Sequence, residues 1–345
     1  MLKRIATHDV EPTELDVTLA PRLTLLVGDN GLGKTFLLDL AWWALSTYWA
    51  VHDAMPRRIG GSTPTIRYWL DALSPVEAKF NFEGPWWQKR WPTHPQPILA
   101  LYVRANGEFQ IQDTFRRFGP SVGRWSPQSG TAENVALSSD EVWNGRSTED
   151  GTVLCNGLLR DWLAWQFQKP ALFDLFARVL MKLSPHADEV LKPGPPRRVS
   201  IEDARDMPTL VLPYGDVPVT HASAGMRRIL ALAYMLVWTW YEHTEAARLQ
   251  NKAPLDELVL LIDEVDAHLH PTWQRVILPA LFEVFPEMER SLRVQVLAST
   301  HAPLVLASME TIFDAERDML LHFALREGKI AVEEIPWAKQ GDAVN

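Results

Sequence analysis

Short apolar runs alternate with helix-period stretches along this chain, and their order predicts an α/β fold. From Leu23 to Val27 the sequence is apolar without interruption, passes through glycines, and resumes as an apolar helix from Phe36. The runs from Glu257 to Ile262 and from Val294 to Ala298 show no polar alternation, the pattern of strands buried on both faces of a parallel sheet. A strongly apolar helix is expected from about Ile229 to Tyr241. Between these parts lie a hairpin, Ile98 to Val103 and Phe109 to Gln112, turned at Asn106-Gly107, and helices over Gly157 to Gln166, with Asn156 before it, and Ala171 to Leu183. The stretch from Phe118 to Asn134 is rich in Gly, Pro and Ser and reads as an exposed connection, and Lys192-Pro193-Gly194-Pro195-Pro196 reads as a break. A strand pair is expected over Thr209 to Thr220, and two more strands, Met319 to Leu325 and Lys329 to Ile335, close the sheet. No sustained heptad pattern or internal repeat occurs, which argues against long coiled-coil arms.

Candidate chemistry collects at the ends of the buried strands, where open α/β sheets gather their ligands. Gly28-Asp29-Asn30-Gly31-Leu32-Gly33-Lys34-Thr35 fits the phosphate-loop pattern G-x-x-x-x-G-K-[ST] between a strand and a helix, so backbone N–H groups at the helix start can converge on a phosphate. The expected nucleotide-binding set is Gly28, Asn30, Gly31, Gly33, Lys34, Thr35 and Phe36. Lys34 supplies positive charge for the β- and γ-phosphates, and the Thr35 hydroxyl is placed for Mg²⁺. At the end of the second run Asp263 is the other Mg²⁺ residue, and Glu264 is the candidate base that polarises the attacking water. His301, at the end of the third run after Ser299-Thr300, is placed to sense the γ-phosphate, so Glu264, His301 and Lys34 form the candidate catalytic set. His221-Ala222-Ser223-Ala224-Gly225-Met226-Arg227-Arg228 opens the long apolar helix; on these residues alone, Ser223 reads equally as a helix N-cap or as a phosphate-binding serine. His268 and His270 suggest a metal site, but no acidic or cysteine partner has ligand spacing.

Phosphate loop, long insertion, serine–glycine helix start, Asp-Glu strand end and strand-end histidine follow the order of the ABC ATPase superfamily, which the chain resembles over nearly its whole length. Asp263-Glu264-Val265-Asp266-Ala267-His268-Leu269-His270-Pro271 is similar to the same run in RecF-like and OLD-like ATPases, a branch that works on DNA and includes ATPase subunits of bacterial anti-phage systems of the Septu type. The resemblance implies ATP and Mg²⁺ as cofactors and an ATPase head with a mostly parallel sheet, an antiparallel strand subdomain and a helical lobe. It divides the chain into a first nucleotide-binding part (1–115), an inserted helical lobe (116–222) and a second nucleotide-binding part opening on the signature helix (223–345). It also implies a homodimer or higher oligomer in which Ser223 and Gly225 bind the γ-phosphate held by another copy, with Asp266 in a loop facing that copy. Ala224 and Met226 depart from the family signature, which has a glycine and a polar residue there. The family glutamine that touches Mg²⁺ and water is assigned to Gln112, with Gln110 as the fallback, and the adenine contacts to the region from Thr7 to Thr13. The implied partners are a nuclease or other effector chain and DNA. Anti-phage defence is the first reading; a RecF-type repair ATPase and a regulatory module that binds ATP without turnover are the alternatives. Intrinsic nuclease activity would need a further domain or chain, because no acidic cluster follows His301.

Composition narrows this only in part. With 345 residues and 47% hydrophobic content the chain can bury a large core. Lys plus Arg number 34 against 43 for Asp plus Glu, a net charge of −9, so the chain as a whole repels a nucleic-acid backbone unless basic residues cluster. The local candidates are Arg57-Arg58, Lys89-Arg90, Arg116-Arg117, Arg197-Arg198 and Arg227-Arg228. Cys155 is the sole cysteine, which excludes an intrachain disulfide and fits a reducing compartment; with no secretory segment and no membrane-length apolar run, the cytoplasm is expected. Of 15 tryptophans, Trp42-Trp43 read as packing against the sheet and Trp162 with Trp165 form a further cluster, whereas Trp86, Trp87 and Trp91, beside Lys89 and Arg90, read either as packing or as a stacking surface. The ending Lys339 to Asn345 has no terminating helix, and a longer parent protein is one expectation.

Overall fold

A computed structural model describes residues 1–57, 62–71, 74–84, 86–89, 97–116, 134–186 and 188–337. In chain order, β1 (Arg4–His8) and β2 (Asp16–Thr18) precede β3 (Leu23–Gly28) and α1 (Lys34–Ser46). Next come β4 (Thr65–Trp69), β5 (Val76–Asn81), β6 (Trp86–Lys89), β7 (Leu99–Val103), β8 (Phe109–Asp113) and β9 (Asn134–Leu137). The following part carries α2 (Ser139–Asn144), α3 (Leu158–Gln168), α4 (Pro170–Lys182), β10 (Lys192–Arg198), β11 (Asp206–Leu212) and β12 (Gly215–Pro218). The chain closes with α5 (Ala224–Leu249), β13 (Glu257–Ile262), α6 (Ile277–Met288), β14 (Arg293–Ser299), α7 (Pro303–Met309), β15 (Asp318–Arg326) and β16 (Lys329–Glu334).

The main sheet has eight strands in the order β9-β8-β7-β13-β14-β3-β15-β16. From β7 to β15 neighbouring strands run parallel, and antiparallel strands flank them on both sides. A separate antiparallel sheet, β2-β1-β4-β5-β6, forms the strand subdomain. The third sheet, β10-β11-β12, belongs with the helices between β9 and α5. The expected α/β architecture with its strand subdomain and helical lobe is what the chain adopts. Strand β9 joins the main sheet although it falls within residues 116–222.

Period-two alternation on β13 sends Leu258, Leu260 and Ile262 to one face and Val259 and Leu261 to the other. The first face packs with α5, α6 and the helical lobe, the second with α1 and the strand subdomain. At about 2 kcal/mol for each fully buried aliphatic side chain, this double burial explains the unbroken apolar run. Helix α1 buries nearly all its side chains, Trp42 and Trp43 included, because it lies between the sheet and the subdomain. The Gln295 side chain, fully buried, takes Leu2 N–H at 2.9 Å and donates to Leu2 O and Ala20 O at 2.7 and 2.8 Å, tying the amino terminus to β14.

Several local expectations are revised. Helix α5 continues past Tyr241 to Leu249, because His243 and Ala247 keep one face buried. The proline-rich stretch at Lys192 is a strand, tolerated at the sheet edge, where missing N–H groups cost no ladder bonds, with a register shift between Gly194 and Arg197. Asn156 does not cap α3: its amide donates to Asp161 at 2.9 Å, and Gly157 occupies the cap with φ 84°. Trp86 and Trp87 lie on strand β6, with Trp87 buried and its indole N–H donating to Ala54 O, while Trp86 is 53% exposed. Trp91, Arg90 and Lys339 to Asn345 lie outside the described residues. No helix among the described residues is long and apolar enough to cross a membrane.

Candidate nucleotide site

The carboxyl ends of β3, β13 and β14 meet around a cavity of about 310 Å³ lined by Asn30, Gly31, Gly33, Lys34, Thr35, Asp263, Glu264 and His301. Residues that stand more than two hundred positions apart in sequence are adjacent because β14 pairs in parallel with both β13 and β3. Gly28 leaves β3 at φ 129°, and a Cβ there would come within 2.1 Å of Phe323 O on β15, so no other residue fits. Gly33, at φ 92°, starts α1 without a side-chain cap, which leaves the helix N–H groups directed at the cavity.

Within the cavity the side chains hold one another. The Lys34 ammonium donates to Gly28 O at 2.7 Å and Asp29 O at 2.8 Å. Burial lowers its pKa from the ordinary lysine value, opposed by the carboxylates of Asp263, Glu264, Asp29 and Asp266. The Thr35 hydroxyl lies 3.1 Å from both carboxylate oxygens of Asp263, and Ser299 Oγ donates to Asp263 Oδ1 at 2.8 Å. Ser299 Oγ also accepts the Glu264 N–H at 2.8 Å, so this one hydroxyl positions both acidic residues. His301 Nδ1 is 3.2 Å from Gly28 O; a carbonyl only accepts, so Nδ1 carries the proton. Its Nε2 faces Glu264 Oε1 at 3.5 Å. Asp266 accepts from the Thr300 hydroxyl and the His301 N–H, which fixes the loop after β13 against the end of β14.

Glu264 and His268 both adopt left-handed backbone, φ 49° and 61°. For non-glycine residues this costs of order 1–3 kcal/mol each and persists where the surroundings over-determine it. At Glu264 the surroundings are Ser299 on its N–H, and Ala267 N–H and the Arg228 guanidinium on its carbonyl.

Most of the expected site residues are brought together here, and some are not. Phe36 lies one residue past the cavity lining, half-buried against the α1 core. Thr13 lies against the phosphate loop, its methyl 3.9 Å from where a Gly33 Cβ would stand. Ser223 caps α5, accepting the Met226 N–H at 3.3 Å, and neither it nor Gly225 lines the cavity. Gln112 is a correction. Antiparallel register places it opposite Ala100 on β7, while Val103, at the other end of that strand, is the residue that accepts the Asp263 N–H. Gln110 fares no better, since its amide donates to Ala50 O and Glu108. The turn Arg104 to Glu108 is the segment at the carboxyl end of β7.

The sequence assigns no role at this site to Ser299 or Asp39, and it marks Arg228 only as half of a basic pair at the start of the long helix. Asp39, one turn past Thr35 on α1, accepts from Tyr102 Oη at 3.0 Å, and burial raises its pKa to about 6. The signal for Ser299 was its place beside Thr300-His301 at a strand end; no pattern marked Asp39. His270 caps a short helix through its own Thr272 contact. Of the basic pairs, Arg197 and Arg198 are held by Asp216 and Asp206, Arg116 pairs with Glu242, Arg227 lies over Trp143, and Arg58 and Arg117 fall outside the described residues.

Residues 211–307 match the family described as "AAA domain, putative AbiEii toxin, Type IV TA system". The "Retron Vc95 probable ATPase" of Vibrio cholerae serotype O1 biovar El Tor is 45% identical over 51 residues, 15% of this chain and 9% of that protein. The "Septu protein PtuA" of Bacillus mycoides (strain KBAB4) is 39% identical over 83 residues, 24% of this chain and 10% of that protein. The matched parts thus span about a tenth of these relatives' own length. Among solved structures, the SMC head bound to the C-winged helix domain of ScpA aligns over 97% of both chains at 11% identity with a TM-score of 0.49. The ATP-bound recombination mediator RecF aligns over 97% of both chains at 11% identity with a TM-score of 0.42. The chain thus sets its phosphate loop, Asp-Glu strand end and strand-end histidine on adjacent parallel strands of an α/β sheet, and it is similar in sequence, over short segments, to the retron probable ATPase and to the Septu protein PtuA.

Proposed function

We propose that this chain is a Mg²⁺-dependent ATPase whose copies close head to tail on ATP and thereby switch a nuclease or other effector partner, in anti-phage defence in the cytoplasm. The observation that carries the reading is the convergence of Lys34, Thr35, Asp263, Glu264 and His301 on one cavity. Lys34 and the N–H groups at the start of α1 bind and orient the phosphates. Thr35 and Asp263 present hard oxygen donors side by side, a set that suits Mg²⁺, which would neutralise charge on the phosphate oxygens. Glu264, poised by Ser299 and Arg228, takes the hydrogen bond of the attacking water, and His301, whose Nε2 faces Glu264 Oε1 at 3.5 Å, stands beside it to sense the γ-phosphate.

In this reading Ser223 and Gly225 act on the nucleotide of the opposing copy, because they lie outside their own chain's cavity. Loss of the γ-phosphate then loosens the contact between copies and resets the partner. A single-turnover assay with labelled ATP tests the assignment: Glu264→Gln should bind ATP as the unchanged protein does and hydrolyse it about 10²–10³-fold more slowly. Hydrolysis at the original rate would remove Glu264 from the mechanism.

A further inference from the structure

The first turns of α5 touch the end of β13 at more than one point. Arg228 Nη1 donates to Ala105 O at 3.1 Å, and Nη2 donates to Asp263 O at 3.3 Å and Glu264 O at 3.0 Å. A planar fork with separate N–H donors can serve the β7–β8 turn and the strand end together, which a lysine ammonium on a single stem serves poorly. Beside it, Gly225 packs so closely on the loop after β13 that a Cβ would lie 3.0 Å from His268 O. The start of α5 and the left-handed backbone at Glu264 are therefore joined by hydrogen bonds and by close backbone packing.

We infer that Arg228 is a positioning residue that joins the signature start of α5 to the backbone of Glu264, so that docking of Ser223 on the opposing copy's nucleotide sets the hydrolytic geometry of this copy's own site. The inference rests on the head-to-tail reading above. Ser223 and Gly225 serve one nucleotide and Asp263 and Glu264 the other, so one rigid element belongs to two sites at once. Turnover is then cooperative in ATP, and the cooperativity runs through a single guanidinium.

Steady-state turnover and fluorescent-nucleotide binding test this on the full chain. Arg228→Gln should lower kcat about 100-fold, the loss expected when a reacting group is misplaced by about an ångström, and bring the Hill coefficient to one. Nucleotide affinity should move less than about threefold, since the phosphate loop is untouched. Arg228→Lys, which keeps the charge, should fold as the unchanged protein does and lose kcat by about tenfold. The Hill coefficient is the readout a merely structural role would not move, and mixed dimers locate the loss. With Glu264→Gln in one copy, only the other copy's Glu264 is live. Arg228→Gln on the live copy should abolish the remaining turnover, and on the dead copy should leave most of it. Equal loss from both placements, or an unchanged rate, overturns the coupling. If Glu264→Gln does not assemble with ATP at all, the head-to-tail reading fails and the coupling fails with it, an outcome distinct from assembly without coupling.

Discussion

The β7–β8 hairpin has a polar cluster near each end, and the two differ in what satisfies them. At the carboxyl end of β7, Asp263, Glu264, Lys34 and His301 line an open cavity and lean on backbone carbonyls and one hydroxyl. At the other end, Asp113 and His243 are closed upon each other, 1% and 0% exposed. His243 Nε2 accepts the Leu255 N–H at 2.9 Å, so Nδ1 carries the proton and donates to Asp113 at 3.0 Å, with Phe115 stacked on the ring at 5.1 Å. Arg116 completes this rear cluster against Glu242, Leu154 O and the Trp238 ring. The first arrangement leaves donors and acceptors facing a cavity large enough for phosphates; the second spends them on fixing α5 to the sheet. A buried charge is a sign of function only where its partners leave room for a ligand.

Substitutions on each side should separate the two roles. The largest effect is expected at the front: Lys34→Ala should reduce ATP turnover about 10³-fold, with thermal unfolding nearly unchanged, as read by phosphate release and calorimetry. At the rear, His243→Ala should cost about 3 kcal/mol in urea denaturation, because it leaves the Asp113 carboxylate buried without its partner, while fluorescent-nucleotide affinity is retained. Loss of nucleotide binding in that variant would erase the distinction. Ser299→Ala should lower kcat about tenfold with little change in stability, since it frees both Asp263 and Glu264 from one shared hydroxyl.

The smallest effect lies between the regions, at Asp39. Its pKa rises in the folded protein from 3.8 to about 6, chiefly through burial, so the folded state holds a proton that the unfolded state releases. Stability should therefore fall as pH rises from about 4 to about 6 and then level off, by about 1 kcal/mol once partial solvent screening is allowed for. Asp39→Asn should flatten this segment of a stability–pH profile measured without nucleotide. A profile unchanged by the substitution would remove Asp39 as its source.

The front of the molecule was legible because its chemistry is local in sequence. Lys34 and Thr35 follow a glycine pattern, and Asp263, Glu264 and His301 each end an apolar run, so strand ends marked the site before any pairing was known. Gln112 was misplaced because a glutamine on a strand carries no sign of which end of the sheet it occupies; only register with Ala100 decides that. The prolines from Pro193 to Pro196 masked an edge strand for a related reason, since tolerance of a missing N–H depends on having no neighbour. Arg228 was one arginine of a pair, and its three carbonyl acceptors come from segments that meet only in the fold. Asp113 and His243 stand 130 residues apart, and no spacing rule connects them.

In the head-to-tail reading, nucleotide in this cavity joins two copies of the chain. Light scattering on the Glu264→Gln protein with and without Mg²⁺ and ATP tests it most directly. Adding ATP should shift the protein from monomer mass to dimer mass or above, and Lys34→Ala in the same background should reverse the shift. A mass that stays constant while ATP is bound would contradict it.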